Sequence, residues 1–138
     1  MNLRQFYSLN KGTEEAPLSC DHILQDFSTS ISSPNFPLNY DNNVNCSWNI
    51  TVFDGCMVEL NFTRFDLQFG RDNLTVYDGY DRNSSRNEFT GSRLPPPIRS
   101  TTNHLFLELS TDSTIQRSGF LATYTTGEFL AKCHFKVS

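Results

Sequence analysis

No stretch of this 138-residue chain approaches the roughly 20 consecutive apolar residues that cross a bilayer as a helix. Direct membrane insertion by this segment is therefore not expected. Basic residues are sparse as well. Eleven Lys and Arg stand scattered against fifteen Asp and Glu, for a formal net charge of -4. With no basic stripe to neutralise phosphates, nucleic acid is excluded as a partner. There is no G-x-S-x-G elbow, no H-E-x-x-H pair and no Gly-rich phosphate loop. His22, His104 and His134 lie far apart and outside any such motif, so the chain is read as non-enzymatic. No two Cys are spaced C-x-x-C, which argues against a structural metal site. No segment carries a helical stripe longer than a turn or two. The start, Met1–Ser8, has no uninterrupted apolar region and is not a signal peptide. Two readings remain for it: a cytosolic chain, or a domain cut from a secreted parent.

What is present favours the second reading. There are four Cys, an even number, and five N-x-S/T acceptors, at Asn45, Asn49, Asn61, Asn73 and Asn83. The expected localisation is extracellular, in a secreted protein or in the ectodomain of a membrane protein. Length fits one domain, and 37 % apolar residues with twelve Phe supply one modest core.

The run Val44–Val52 is the clearest structural signal. Val44, Cys46, Trp48, Ile50 and Val52 alternate with Asn45, Ser47, Asn49 and Thr51, the period of a half-buried strand. A glycan cannot be buried, so the acceptor phase must be the solvent phase, and the apolar pattern agrees. A second strand is expected to begin near Cys56 and run through Val58, Leu60 and Phe62, with Asn61 on its polar phase. Residues 73–77 form a third, with Leu74 and Val76 inward, closed by Asp78-Gly79. A final pair follows: Leu105, Leu107 and Leu109, then Phe120, Ala122 and Tyr124. The candidate core is Trp48, Ile50, Leu60, Phe62, Leu74, Val76, Leu107 and Phe120. Residues 28–43 read as irregular chain or short edge strands. Residues 80–103 are polar and hold Pro95-Pro96-Pro97, which cannot sit in a central strand. Short strands separated by Gly, Pro and Asn turns predict an all-β sandwich of two antiparallel sheets.

Five pieces in order carry a family resemblance: Ile31-Ser32-Ser33-Pro34-Asn35-Phe36-Pro37-Leu38-Asn39-Tyr40; Cys46-Ser47-Trp48-Asn49-Ile50; Leu60-Asn61-Phe62-Thr63-Arg64-Phe65-Asp66-Leu67; Asp72-Asn73-Leu74-Thr75-Val76-Tyr77-Asp78-Gly79; and Ser110-Thr111-Asp112-Ser113 with Ser118-Gly119-Phe120. The chain resembles a CUB domain, the extracellular module of complement proteases, tolloid-type proteases, cubilin and type II transmembrane serine proteases. The resemblance implies a jelly-roll-like CUB sandwich over residues 20–124, an N-terminal flank or linker over 1–19 and an extension over 125–138. Sequence alone leaves three pairings of the four Cys open. The resemblance implies Cys20–Cys46, which leaves Cys56–Cys133, a bond that would tie the extension back onto the sandwich. The rival is a Cys133 bonded to a neighbouring domain, with Cys56 free. The family's usual second pair is missing.

Many CUB domains bind Ca²⁺ at one end, through a Glu and two Asp. The matching positions here hold Gln68, Asp72 and Asp112, so one charge is lost and Ca²⁺ is disfavoured. The plainer reading is that Asp72 and Asp112 hydrogen-bond their own loops. No other cofactor is expected. Tyr77 and Phe106 fall on outward phases, which calls for coverage, expected from the extension, or for binding. Phe89 and Phe129 also lie off the inward phase. The loop 80–88, with Arg82, Arg86 and Glu88, is either a recognition edge or a plain solvated loop. With the acceptor face shielded, partner contacts are expected at the end loops and on the face carrying Phe106. The implied role is a non-catalytic protein-recognition module of a multidomain extracellular protein, its partners an extracellular protein or neighbouring domains. The alternatives are a structural spacer orienting a neighbouring protease or receptor domain, and a free-standing secreted ligand binder.

Overall fold

The computed structural model describes residues 18–126. Among the described residues, nine strands make two stacked sheets: β1 (Leu18–Leu24), β2 (Ser28–Ser32), β3 (Val44–Thr51), β4 (Glu59–Asp66), β5 (Asn73–Asp78), β6 (Ser85–Phe89), β7 (Ile98–Arg99), β8 (His104–Ser110) and β9 (Gly119–Thr125). One sheet has the order β1-β3-β8-β5-β6 and the other β2-β9-β4-β7. The pairings are antiparallel except β1 with β3, which is parallel and directly registers Cys20 against Cys46. Those two residues form a disulfide with Cα atoms 4.4 Å apart. Cys56 is buried and disulfide-bonded. The partner expected for it, Cys133, lies outside the described residues, as do the extension from 127 onward and Phe129.

Period two decides which side chains meet between the sheets. Trp48, Ile50, Leu60, Phe62, Leu74, Val76, Leu107 and Phe120 are all buried. Trp48 and Phe120, from opposite sheets, meet edge to face with ring centroids 5.3 Å apart, a favoured aromatic geometry. On its open side Trp48 is stacked by His22 of β1, with centroids 5.6 Å apart. Strand β4 breaks the alternation. Its register against β9 shifts between Phe62 and Arg64, a β-bulge. One extra residue in the strand turns Phe65 inward beside Phe62, so two Phe three residues apart both reach the core. The bulge is the physical reason for the F-x-x-F spacing.

Several expectations are corrected. β1 occupies residues assigned in part to the flank, and its parallel pairing departs from purely antiparallel sheets. β4 begins at Glu59 rather than near Cys56. The polar stretch 80–103 contains β6 and the two-residue β7.

A close approach ties the end of β2 to the start of β9 within the four-stranded sheet. Gly119 has φ +90°, and a Cβ there would meet Ser33 Oγ at 1.8 Å. The room it leaves lets Phe120 N–H donate to Ser33 Oγ (3.0 Å) and Ser33 N–H donate to the Phe120 carbonyl (3.1 Å). Trp48→Ala removes the ring at the centre of this packing. It is expected to cost about 3–5 kcal/mol in a two-state urea titration. A loss below about 1 kcal/mol would contradict the packing described.

Candidate functional site

The strands run so that four connections start or finish at the end where the chain enters: the β2–β3 loop, the β4–β5 loop, the start of the β6–β7 connection and the β8–β9 loop. Asp72 is fully buried there. A buried carboxylate must be supplied with donors, and it has two. Tyr40 Oη donates to Asp72 Oδ2 (2.6 Å), and Asp112 N–H donates to Oδ1 (2.9 Å). Tyr40 Oη in turn accepts from Gln68 N–H (3.1 Å). Thr90 Oγ1 donates toward the carbonyls of Asp72 (2.7 Å) and Gln68 (3.2 Å), drawing in the fourth connection.

Gln68, Asp72 and Asp112 are therefore brought together. Asp112 Oδ1 accepts from Thr114 N–H (3.0 Å) and Thr114 Oγ1 (3.1 Å), and its Oδ2 lies 3.9 Å from Arg71 Nη1. Gln68 Nε2 donates to Thr114 Oγ1 (3.2 Å), while Gln68 Oε1 is buried with no hydrogen-bond partner. Sequence reasoning placed Tyr40 in a motif but gave it no role. Its hydroxyl is the hub that links Asp72 to Gln68. Arg71 was also missed, although its place one residue before Asp72 put a cation beside the acidic pair.

Three exposed apolar side chains ride on these braced loops. Leu38, Phe69 and Ile115 are 73 %, 79 % and 59 % exposed, one from each of three loops. Gln68 and Thr114, joined by a hydrogen bond, immediately precede Phe69 and Ile115. Tyr40 N–H donates to the Arg117 carbonyl (3.0 Å), tying the Leu38 loop to the Ile115 loop. Phe69 lies against Gly91, where a Cβ would meet its ring at 3.0 Å.

On the outer face of the five-stranded sheet, Tyr77 is buried and Phe106 half-buried. The extension expected to cover them lies, from residue 127 onward, outside the described residues. Arg82 reaches over Phe106, 5.8 Å from the ring centroid, and pairs with Glu108 through two nitrogens. Tyr77 Oη donates to Glu108 Oε1 (3.2 Å). The face carrying Phe106 is also not separate from the acceptors. Asn49 pairs directly with Phe106, and Asn45 and Asn73 flank Ser110 from either side. Asn61 sits on the other sheet, opposite Thr123, and Asn83 in the β5–β6 loop. Each of the five is exposed or half-buried.

The CUB domain signature matches residues 20–124. The chain belongs to the CUB family. It is 34% identical over 122 residues to cubilin of Canis lupus familiaris, covering 86% of this chain and 3% of that protein. It is 37% identical over 111 residues to tolloid-like protein 2 of Homo sapiens, covering 77% of this chain and 11% of that protein. This CUB chain thus spans a small part of the relatives it matches. Among solved structures, the full extracellular region of zebrafish Gpr126/Adgrg6 superposes with a TM-score of 0.72 at 28% identity, covering 78% of this chain and 14% of that one. The Ca²⁺-bound CUB2 domain of MASP-1 superposes with a TM-score of 0.69 at 23% identity, over 75% of this chain and 96% of that one, a likeness of fold. A CUB domain is a non-catalytic β-sandwich module.

Two buried tyrosines set the alkaline limit of the fold. Burial, then the bond to Asp72, pushes the Tyr40 hydroxyl well above its ordinary value. Burial, then the nearby Asp26 carboxylate, pushes Tyr124 up to about 12. A group raised above its unfolded value of about 10 contributes stability in full below that pH and loses it as pH rises toward the folded value. Stability is expected to be unaffected by these groups from neutral pH to about 10 and to fall between about 10 and 12. Absorbance at 295 nm should show both phenols ionising together with unfolding. Ionisation of all tyrosines near pH 10 in a still-folded domain would refute the linkage.

Proposed function

We propose that this CUB domain is an extracellular protein-recognition module, and that its contact surface is the loop end carrying Leu38, Phe69 and Ile115. The observation that carries this reading is the bracing of the three loops that carry those exposed side chains by the Tyr40–Asp72–Asp112 network. Pre-ordered apolar groups lose little conformational entropy on binding, which is what an interface anchor needs. Acceptors on the outer faces of both sheets favour an end over a face. The family supports the compartment, since its members stand in secreted or membrane-anchored extracellular proteins. The test is made in the parent ectodomain by changing Leu38, Phe69 and Ile115 together to Ser. Recognition predicts at least about a tenfold loss of binding to the cells or matrix that the ectodomain coats.

A spacer role is the second reading, and one observation favours it. Leu18 lies beside Val44 at one end of the sandwich, whereas Thr125 pairs with Ser28 and Glu59 at the other. The chain therefore enters and leaves at opposite ends. A spacer predicts that the triple substitution is silent and that only deletion of the domain alters activity.

Calcium binding is proposed to be weak or absent. The loop end offers two carboxylates and a neutral amide, and the carboxylate oxygens already accept hydrogen bonds or face Arg71. Gln68 Oε1 is one uncommitted oxygen, against the six to eight that the ion requires. Calorimetric titration of EDTA-treated domain should give no saturable heat below about 1 mM Ca²⁺. Gln68→Glu should strengthen binding by restoring a charge. A micromolar dissociation constant that rises sharply in Asp112→Ala would reverse this reading.

A further inference from the structure

A groove of about 490 Å³ lies on the outer face of the five-stranded sheet, within the size range of small-molecule sites. Asn43, Asn45, Thr75, Arg82, Glu108 and Ser110 line it. Its floor is β8, where Ser110 is the short residue between Asn45 of β3 and Asn73 of β5. Glu108 follows two residues along, about 6.8 Å away. The groove therefore runs from an acceptor asparagine to a carboxylate paired with a guanidinium.

We propose that this groove seats the core sugars of an N-linked glycan carried by Asn45 itself. The proposal rests on the extracellular assignment above. Asn45-Cys46-Ser47 is an acceptor triplet, and its exposed asparagine forms a wall of the groove, so the occupant is delivered covalently. The lining supplies what sugar hydroxyls and acetamido groups bind: a carboxylate acceptor, guanidinium donors, the Thr75 and Ser110 hydroxyls and the Asn43 amide. The polar groups are also held in place. Tyr77 Oη and Arg82 both bond Glu108, whose side chain is only 16% exposed, so little ordering is left for the sugar to impose. Asn61 on the opposite sheet and Asn83 in its loop do not line this groove.

The modification takes its oligosaccharide from a polyprenyl-diphosphate-linked donor. Asn45 Nδ2 forms a bond to the sugar C1, the C1–O bond breaks with its electrons leaving on the diphosphate, and the amide gives up one proton. In the folded domain the triplet is closed: Ser47 Oγ donates to Asp21 Oδ1 (2.7 Å) and Cys46 is bonded to Cys20. Transfer must therefore precede the pairing of β1 with β3.

The experiment uses the full chain secreted from animal cells behind an added signal peptide. Site occupancy is read by glycopeptide mass spectrometry, and peptide-N-glycosidase release is timed at each site before and after denaturation. The groove predicts an occupied Asn45 whose glycan is released about tenfold more slowly than that of Asn83 from native protein, and equally fast after denaturation. Arg82→Ala should bring the Asn45 rate up to that of Asn83, and the wild-type comparison stands even if that variant misfolds. Equal native rates, or an empty Asn45 beside other occupied sites, would overturn the groove. A chain secreted with no glycan at any site would instead overturn the extracellular assignment.

Discussion

A carboxylate with no access to water must be given donors by the protein, and Asp72 dictates the architecture of one whole end of this domain. The donors come from far along the chain. Tyr40 lies 32 residues before Asp72 and Asp112 lies 40 after it. Meeting that demand fixes where the β2–β3, β4–β5 and β8–β9 loops pass one another. Thr90 and Gly91 then bring in the fourth connection, since Leu67 N–H donates to the Gly91 carbonyl (2.8 Å) and Gly70 N–H to Thr90 Oγ1 (2.9 Å). Replacing Tyr40 with Phe would leave Asp72 Oδ2 without its donor, a penalty of about 1–3 kcal/mol for a buried group. The loops that carry the exposed side chains hold their courses because of what is satisfied beneath them.

The opposite strategy governs the outer face of the five-stranded sheet. There the aromatic rings of Tyr77 and Phe106 face outward by phase and tilt against each other, and Arg82 reaches over Phe106. Arg82 lays its guanidinium over Phe106 and anchors on Glu108, so a cation, a ring and a carboxylate stack into one unit. The pair is partly exposed, so its value is in covering apolar surface and fixing Glu108 more than in ionic stabilisation.

The strands that bury one face were legible in the sequence, because alternation is imposed wherever one face must be dry. β3, β5, β8 and β9 carry that pattern plainly. β6 was not legible, since Ser85-Arg86-Asn87-Glu88 is exposed throughout and no period is imposed. β1 is an edge strand whose parallel pairing leaves little apolar trace, with Ile23 80 % exposed. Phase within a strand says which residues point outward, but not which strands share a sheet. That is why Asn49 and Phe106, both outward, were assigned to different faces although they are direct partners. At the loop end the carboxylates came from a family motif. Their donors came only from tertiary contact, because hydrogen bonds spanning 30 to 40 residues have no local signature.

The disulfide between Cys20 and Cys46 has a mechanical meaning as well as a structural one. A chain that enters beside Val44 and leaves beside Glu59 transmits any pull along the strand axes, over about 23 Å of β1. Such a pull shears β1 against β3, loading their hydrogen bonds together rather than opening them one at a time. The covalent link sits at the third residue of β1. Only Leu18 and Ser19 can slip before the load passes into β3, an inner strand of the five-stranded sheet. Under tension the domain is a rigid link whose N-terminal edge strand has been bypassed.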